Sequence, residues 1–205
     1  GMLLPTGNTT DTLDVPGVGT LRVSIVDAAN PLVFVMAHDL GLTGKELPAE
    51  INGNSALLLL LERVRAAAAL RLGFINTLEE SATRSPGVPK LTLIAPAEDY
   101  TTLTGETVSA ASVDILGRMM SMQKAHETYA LTGVICTICA ACIPGTLVHA
   151  LAANRQRSDH LVIGHPGGTL EAGIDCSLRP DGTLDIKDAY SYRTARLLMR
   201  GMAYI

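Results

Sequence analysis

The chain has 205 residues, 47% of them apolar, and its 16 basic and 20 acidic side chains give a formal charge of −4. That is enough apolar material for one generous domain or two small ones, with an aliphatic core, since there is no Trp and only two Phe and five Tyr. Without a Lys/Arg cluster or aromatic stacking platforms, nucleic acid is not an expected partner.

The opening "LLPTGNTTDTLDVPGVGTL" reads as a loop feeding a hairpin, and Gly1 before Met2 reads as an added residue, so the chain is expected to be a piece of something longer. No basic stretch followed by an apolar core marks a signal peptide, and the default expectation is the cytoplasm. Two strands are predicted at about Thr20–Val26 and Leu32–Ala37, alternating apolar and polar residues and joined through a turn at Ala28–Pro31. The clearest helix follows: Asn54 or Ser55 can cap it, Leu57, Leu61, Val64 and Ala68 form one face, and Gly73 can end it. Its run "SALLLLLERVRAAAALRLGF" carries Glu62, Arg63, Arg65 and Arg71 and is too charged to span a bilayer.

"TLEESATRSPGVPK" reads as loop, "KLTLIAPA" as a strand and "ASVDILGRMMSM" as another. "HETYALTGVICTICAACIPGTLVHALA" then reads as a helix apolar on almost every face, the pattern of a helix surrounded by protein. "HLVIGHPGGTLEAGIDCSL" reads as two strands about a glycine turn, and "TLDIKDAYSYRTARLLMRGMAYI" as one or two more. The tally is seven or eight strands, one amphipathic outer helix and one apolar helix. An α+β domain with a mixed sheet curled around that helix fits best.

Three cysteines, Cys136, Cys139 and Cys142, stand at C-x-x-C-x-x-C spacing inside the apolar helix. At 100° per residue the first two are about 60° apart, while the third is about 120° from the first and roughly 9 Å along the axis. A cluster-binding run also wants a cysteine directly before its proline. Here Ile143 precedes Pro144, and Cys176 lies in another element. Core packing is therefore the expectation. The alternative is a nucleophilic Cys136 near the helix start.

Three stretches put polar groups where an anion could use them. In "SMQKAH", Ser121, Lys124 and His126 lie between a strand end and the apolar helix. A Lys and a His two apart can neutralise carboxylates or move protons, and a solvated connection explains the same residues. Thr132 and Gly133 sit near the helix start, where free N–H groups and the dipole favour anions, or where a plain cap could stand. The turn "GHPGGT", Gly164 to Thr169, could bring backbone N–H groups against a ligand or be a simple hairpin. No H-x-x-x-H pair, G-x-G-x-x-G loop or G-x-S-x-G elbow is present.

Taken in order, "LPTGNTTDTLDVPGVGTLRVSIVDAANPLVFV", "RMMSMQKAHETYALTG", "IPGTLV", "IGHPGGTLEAG" and "YRTARLLMRG" resemble the carboxy-terminal half of the PrpF family. These are 2-methylaconitate isomerases and relatives acting on aconitate or 4-oxalomesaconate. The resemblance covers essentially the whole chain. It implies a diaminopimelate epimerase-like fold of two similar domains, each a sheet around a central helix, with residues 1–205 as the second. It further implies proton transfer next to a carboxylate without cofactor or metal. The family's substrate-contact pattern falls on Ser121, Met122, Lys124 and His126, on Thr132 and Gly133, and on His165, Gly167 and Gly168. Gly167 stands where serine is usual, which removes one hydroxyl. The Lys and Cys proposed as acid and base belong to the family's amino-terminal half, so the catalytic residues of this chain are unknown.

Three readings follow. The chain is a half-site that works with a separately encoded amino-terminal half or as a homodimer; it is a truncated half that only binds a polycarboxylate or a partner chain; or it transfers protons alone through Lys124 and His126. No membrane partner is expected.

Overall fold

The fold is taken from a computed structural model, which describes residues 2–155, 157–180, 183–192 and 199–202. It is a mixed α+β arrangement built on one sheet. The strands are β1 (Asp11–Val15), β2 (Gly19–Ala28), β3 (Asn30–Met36), β4 (Lys90–Pro96), β5 (Tyr100–Thr101), β6 (Thr107–Val108), β7 (Ile115–Ser121), β8 (Lys124–Ala125), β9 (His160–His165), β10 (Gly168–Leu178) and β11 (Leu184–Ser191). The helices are α1 (Pro48–Asn52), α2 (Ser55–Arg71), α3 (Ser81–Arg84), α4 (Leu131–Ala141) and α5 (Leu147–Leu151). The main sheet runs β1-β2-β3-β4-β7-β9-β10-β11, with β8 pairing β7 and the short β5–β6 ladder standing apart. Pairing is antiparallel except for β3 with β4 and β7 with β9.

Sequence and structure agree on most elements. Asn54 caps α2, its Oδ1 accepting from Leu57 N–H at 3.0 Å. Leu61, Val64 and Ala68 of α2 are buried, and Gly73 follows the helix with a left-handed φ of 72°. The first two expected strands run longer, as β2 and β3, because a single residue, Ala29 at φ 65°, reverses the chain. Before them "DTLDV", expected as loop, forms β1, burying Asp11, Leu13 and Val15 against β2.

The alternation expected in β3 gives way to a continuous apolar run for a physical reason: both faces of the sheet are covered. Val33 and Val35 of β3, with Leu91 and Leu93 of β4, join the α2 side. Leu32 and Phe34, with Ile94, join a second core holding Val134, Cys136, Ile138 and Cys139 of α4. A strand buried on two faces needs apolar residues at both parities.

The long apolar helix expected over residues 126–152 is two helices. Cys142 ends α4, Pro144 and Gly145 (φ 91°) turn the chain, and Thr146 caps α5 by accepting His149 N–H at 3.0 Å. Residues 126–130 precede α4 as irregular chain. In the loop "TLEESATRSPGVPK" the short α3 forms. A strand beyond β11 would fall on residues 193–198 or 203–205, outside the described residues. Among those described, no helix is long and apolar enough to cross a membrane.

α4 packs against β2, β3, β9, β10 and β11, and every residue from Cys136 to Ala141 is buried. Cys136 Sγ donates to the Val26 carbonyl at 3.2 Å, and burial pushes its thiol pKa up. A nucleophilic Cys136 is therefore overturned: the residue lies inside the core, with its thiolate disfavoured. Among the described residues no group of three His, Cys, Asp or Glu side chains is placed to hold a metal ion.

Candidate functional site

β7 organises the site. Its carboxy end turns through Met122 and Gln123, both left-handed at φ 52° and 60°, into β8, pairing Ser121 with Lys124. Two positive φ values are what a two-residue type I′ hairpin requires. Neither residue is glycine, so the turn holds non-glycine residues in a sparsely populated region. From the neighbouring β4, Lys90 Nζ donates to Ser121 Oγ at 2.9 Å, and burial lowers the Lys90 pKa. Met122 is 59% exposed, and Lys124 is exposed.

Leaving β8, the chain returns along β7, and His126 N–H donates to the Met119 carbonyl at 2.8 Å. From the other direction β9 runs parallel to β7, with Gly164 opposite Leu116, and ends at His165. Both histidines are thus delivered beside β7 by backbone pairing.

Each ring is held the same way by the residue two positions on. Thr128 N–H donates to His126 Nδ1 at 3.0 Å, and Gly167 N–H donates to His165 Nδ1 at 3.1 Å. An Nδ1 that accepts a hydrogen bond leaves the proton of the neutral imidazole on Nε2. The two turns touch: a Cβ at Gly167 would lie 3.0 Å from Thr128 Cγ2 and 3.2 Å from His165 Cε1.

Around this contact opens a cavity of about 480 Å³, lined by Thr128, Tyr129, His165, Gly167, Thr169, Leu170, Glu171 and Tyr192. His165 is 5% exposed. Burial first, then the nearby Arg118 cation, lowers its pKa to about 4, with a smaller push from His126. The ring is neutral at pH 7.

α4 begins two residues beyond Tyr129. Its N-cap is Ala130, which has no side-chain acceptor, and Thr132 is the exposed second residue of the helix. The plain cap weighed for Thr132 is not formed, and the first-turn amides carry the helix's partial positive charge without a side-chain partner at the N-cap. Gly133 is buried because nothing larger fits: a Cβ there would lie 2.1 Å from Met119 Cε.

The nine residues singled out from the sequence therefore fall into two adjoining groups. His165 and Gly167 line the cavity, Gly168 and His126 adjoin it, and Thr132 and Gly133 open the helix behind it. Ser121, Met122 and Lys124 form the hairpin at the end of β7. Sequence reasoning passed over Thr128, which lines the cavity with Thr169 of the glycine turn, and Arg118 and Tyr100, which hold that turn. A usable signal was the repeated spacing His126-x-Thr128 and His165-x-Gly167. A second was Arg118, a lone charge inside the apolar strand "ILGRMMS".

Comparison with known proteins places these features in a family. Residues 1–205 match the family described as PrpF protein. The chain is 41% identical over its full length to 3-methylitaconate isomerase of Eubacterium barkeri, of which it covers 53%. It is 40% identical over its full length to 2-methyl-aconitate isomerase of Shewanella oneidensis, of which it covers 51%. The crystal structure of methylitaconate-delta-isomerase superposes with a TM-score of 0.84 at 39% identity, over 94% of this chain and 50% of that one. The chain spans about half the length of the curated relatives it matches. The chain belongs to the PrpF family.

Proposed function

We propose that this chain is one domain, the second of two, of a cofactor-independent isomerase that shifts a proton within unsaturated polycarboxylic acids. In this reading the sheet curls around α4 in the diaminopimelate epimerase manner, and the cavity beside His165 forms one wall of the active site. Relatives named for methylitaconate and methylaconitate support the substrate class. Their substrates share an unsaturated carbon skeleton bearing at least two carboxylates. 2-Methylaconitate, aconitate and 4-oxalomesaconate are the tricarboxylates proposed here.

The observation that carries the reading is the meeting of hydrogen-bond donors at one cavity. The neutral imidazole of His165 keeps a proton on Nε2, and Gly167 of the Gly164–Gly168 turn lines the cavity. The α4 amino end, which has no side-chain cap, begins two residues after the cavity-lining Tyr129. Helix amino ends and glycine turns receive carboxylates without a counter-ion of their own. The charged Lys124 and the hydroxyl of Ser121, at the β7–β8 hairpin, would meet a second carboxylate, with Met122 covering the substrate's carbon skeleton. His126, Thr132, Gly133 and Gly168 complete the contact set.

The acid and base are assigned to the other half of the enzyme, outside residues 1–205. Without them the domain lacks general acid–base steps, each typically worth ~10²–10⁴-fold. The test is proton NMR of methylitaconate, 2-methylaconitate and aconitate in heavy water. Alone, the chain should broaden ligand resonances without exchanging their protons. No broadening at millimolar ligand would sink the reading. Deuterium uptake by the chain alone, abolished in Lys124→Ala, would instead make Lys124 the base.

A further inference from the structure

Arg118 lies in the middle of β7 and is 1% exposed. A buried cation normally needs a carboxylate beside it; the Glu46 carboxylate supplies charge nearby, yet the hydrogen bonds of Arg118 go to backbone carbonyls. Nε donates to Glu46 O at 2.8 Å, and Nη1 to Gly117 O at 3.0 Å and Gly164 O at 3.2 Å. Nη2 is buried without a partner. The guanidinium carbon stands 5.2 Å from the centre of the Tyr100 ring, within cation–π range. The Tyr100 hydroxyl in turn donates to the Gly168 carbonyl. Arg118 and Tyr100 thus grip the two ends of one five-residue turn, Gly164 at its start and Gly168 at its close, and His165 and Gly167 lie between.

We propose that Arg118, with Tyr100, is the positioning residue of this site. The pair fixes the Gly164–Gly168 turn so that Gly167 N–H meets His165 Nδ1. This leaves the ring proton on Nε2, where the Thr169 backbone or an incoming ligand carboxylate or carbonyl oxygen can accept it. The donor's use by a ligand rests on the carboxylate site proposed above; the brace itself does not. Arg118 touches carbonyls and a ring and acts through His165.

A purely structural cation would fill the core as well from any position. This one is placed where its charge bears on the histidine: it is the second cause, after burial, of the lowered His165 pKa. The groups facing His165 come from several elements: Arg118 of β7, Tyr100 of β5, His126 ahead of α4, and Glu171 of β10 across the cavity. Arg118 and His126 disfavour a charged His165, while a hydrogen bond to the Thr169 backbone favours it. Glu171 is exposed and stands 3.7 Å from His160, with which it pairs when that ring is protonated.

The experiment is long-range proton–nitrogen NMR of the full chain labelled with ¹⁵N-histidine, from pH 4.5 to 8, with His165→Asn to assign the signals. The wild type should show His165 protonated on Nε2 alone, unchanged down to about pH 5. Arg118→Met should raise the His165 titration midpoint by about one pH unit or more, while Arg118→Lys, which keeps the charge, should restore most of the shift. A wild-type ring protonated on Nδ1, or a wild-type midpoint near 6.5, overturns the proposal without any variant. So does a folded Arg118→Met protein whose His165 signals match the wild type. Should that variant fail to fold, Tyr100→Phe decides: the Gly167 amide should exchange at least ~10-fold faster, and an unchanged rate is contrary to the brace.

Discussion

Gly167 and Thr128 stand against each other, a Cβ at Gly167 falling 3.0 Å from Thr128 Cγ2, so the turn after β9 and the approach to α4 share one wall of the cavity. Gly167 is exposed, and its φ lies outside the left-handed region that favours glycine. Gly167→Ser should therefore fold, with Thr128 giving by a few tenths of an ångström. The expected stability change is within ~1 kcal/mol in denaturant unfolding. The added hydroxyl should tighten polycarboxylate binding, read by calorimetry. A loss of several kcal/mol would show that the two segments cannot separate.

Gly133 is the opposite case. A Cβ there would lie 2.1 Å from Met119 Cε and 3.3 Å from Tyr129 Cε1, inside the core. Gly133→Ala should cost roughly 1–3 kcal/mol through overpacking, despite the better helix propensity of alanine. Because the clash is with the flexible end of one side chain, adding Met119→Ala should return part of that loss. Strict additivity of the two changes would place the cost elsewhere.

The lowered His165 pKa makes stability depend on pH. The unfolded ring titrates near 6.5, while the folded one stays neutral to about 4. Between those values the unfolded chain binds the extra proton, so stability falls as pH falls through the window and is unaffected by this group above it. The loss attributable to His165 by pH 4 is on the order of 3 kcal/mol. Urea unfolding of wild type and His165→Asn from pH 7.5 to 4 should show the variant with the flatter profile. Parallel profiles would mean that His165 is not held neutral.

The cysteines should behave as packing, not as ligands. Burial pushes Cys139 to about 11 and, with the neighbouring Cys176, Cys142 to about 12. A chromogenic disulfide reagent at pH 8 should leave Cys136 and Cys139 untouched in the native protein and reach all four thiols after unfolding. Anaerobic preparation should give no iron and no visible absorbance. Stoichiometric iron would contradict the packing assignment.

The sheet was legible where one local signal decided. The Asn54 cap, the β9–β10 turn and the presence of strands at β3 and β4 all follow from residue chemistry within a few positions. What the sequence hid is non-local. β1 owes its strand to pairing with β2, and the break after Cys142 depends on Thr146 finding a place to cap α5. The candidate site divides the same way. His126, His165 and the glycine turn stand out as residue types. Arg118 stands out as a lone charge in an apolar strand, but its role shows only when Gly164, 46 residues away, supplies its acceptor. Thr128 emerges only once the two His-x-small turns are seen to touch.

The most direct test of the carboxylate-binding half-site is a titration of the ¹⁵N-labelled chain with methylitaconate and 2-methylaconitate, followed by amide NMR. The expected result is saturable shifts concentrated at Thr128, Thr132, Gly133, His165, Gly167 and Gly168, with smaller ones at Ser121 to Lys124, and a pyruvate control that moves none of them. Shifts scattered over the α2 face, or none at ten millimolar ligand (a concentration set by the ~mM upper range of enzyme–substrate affinities), would contradict it.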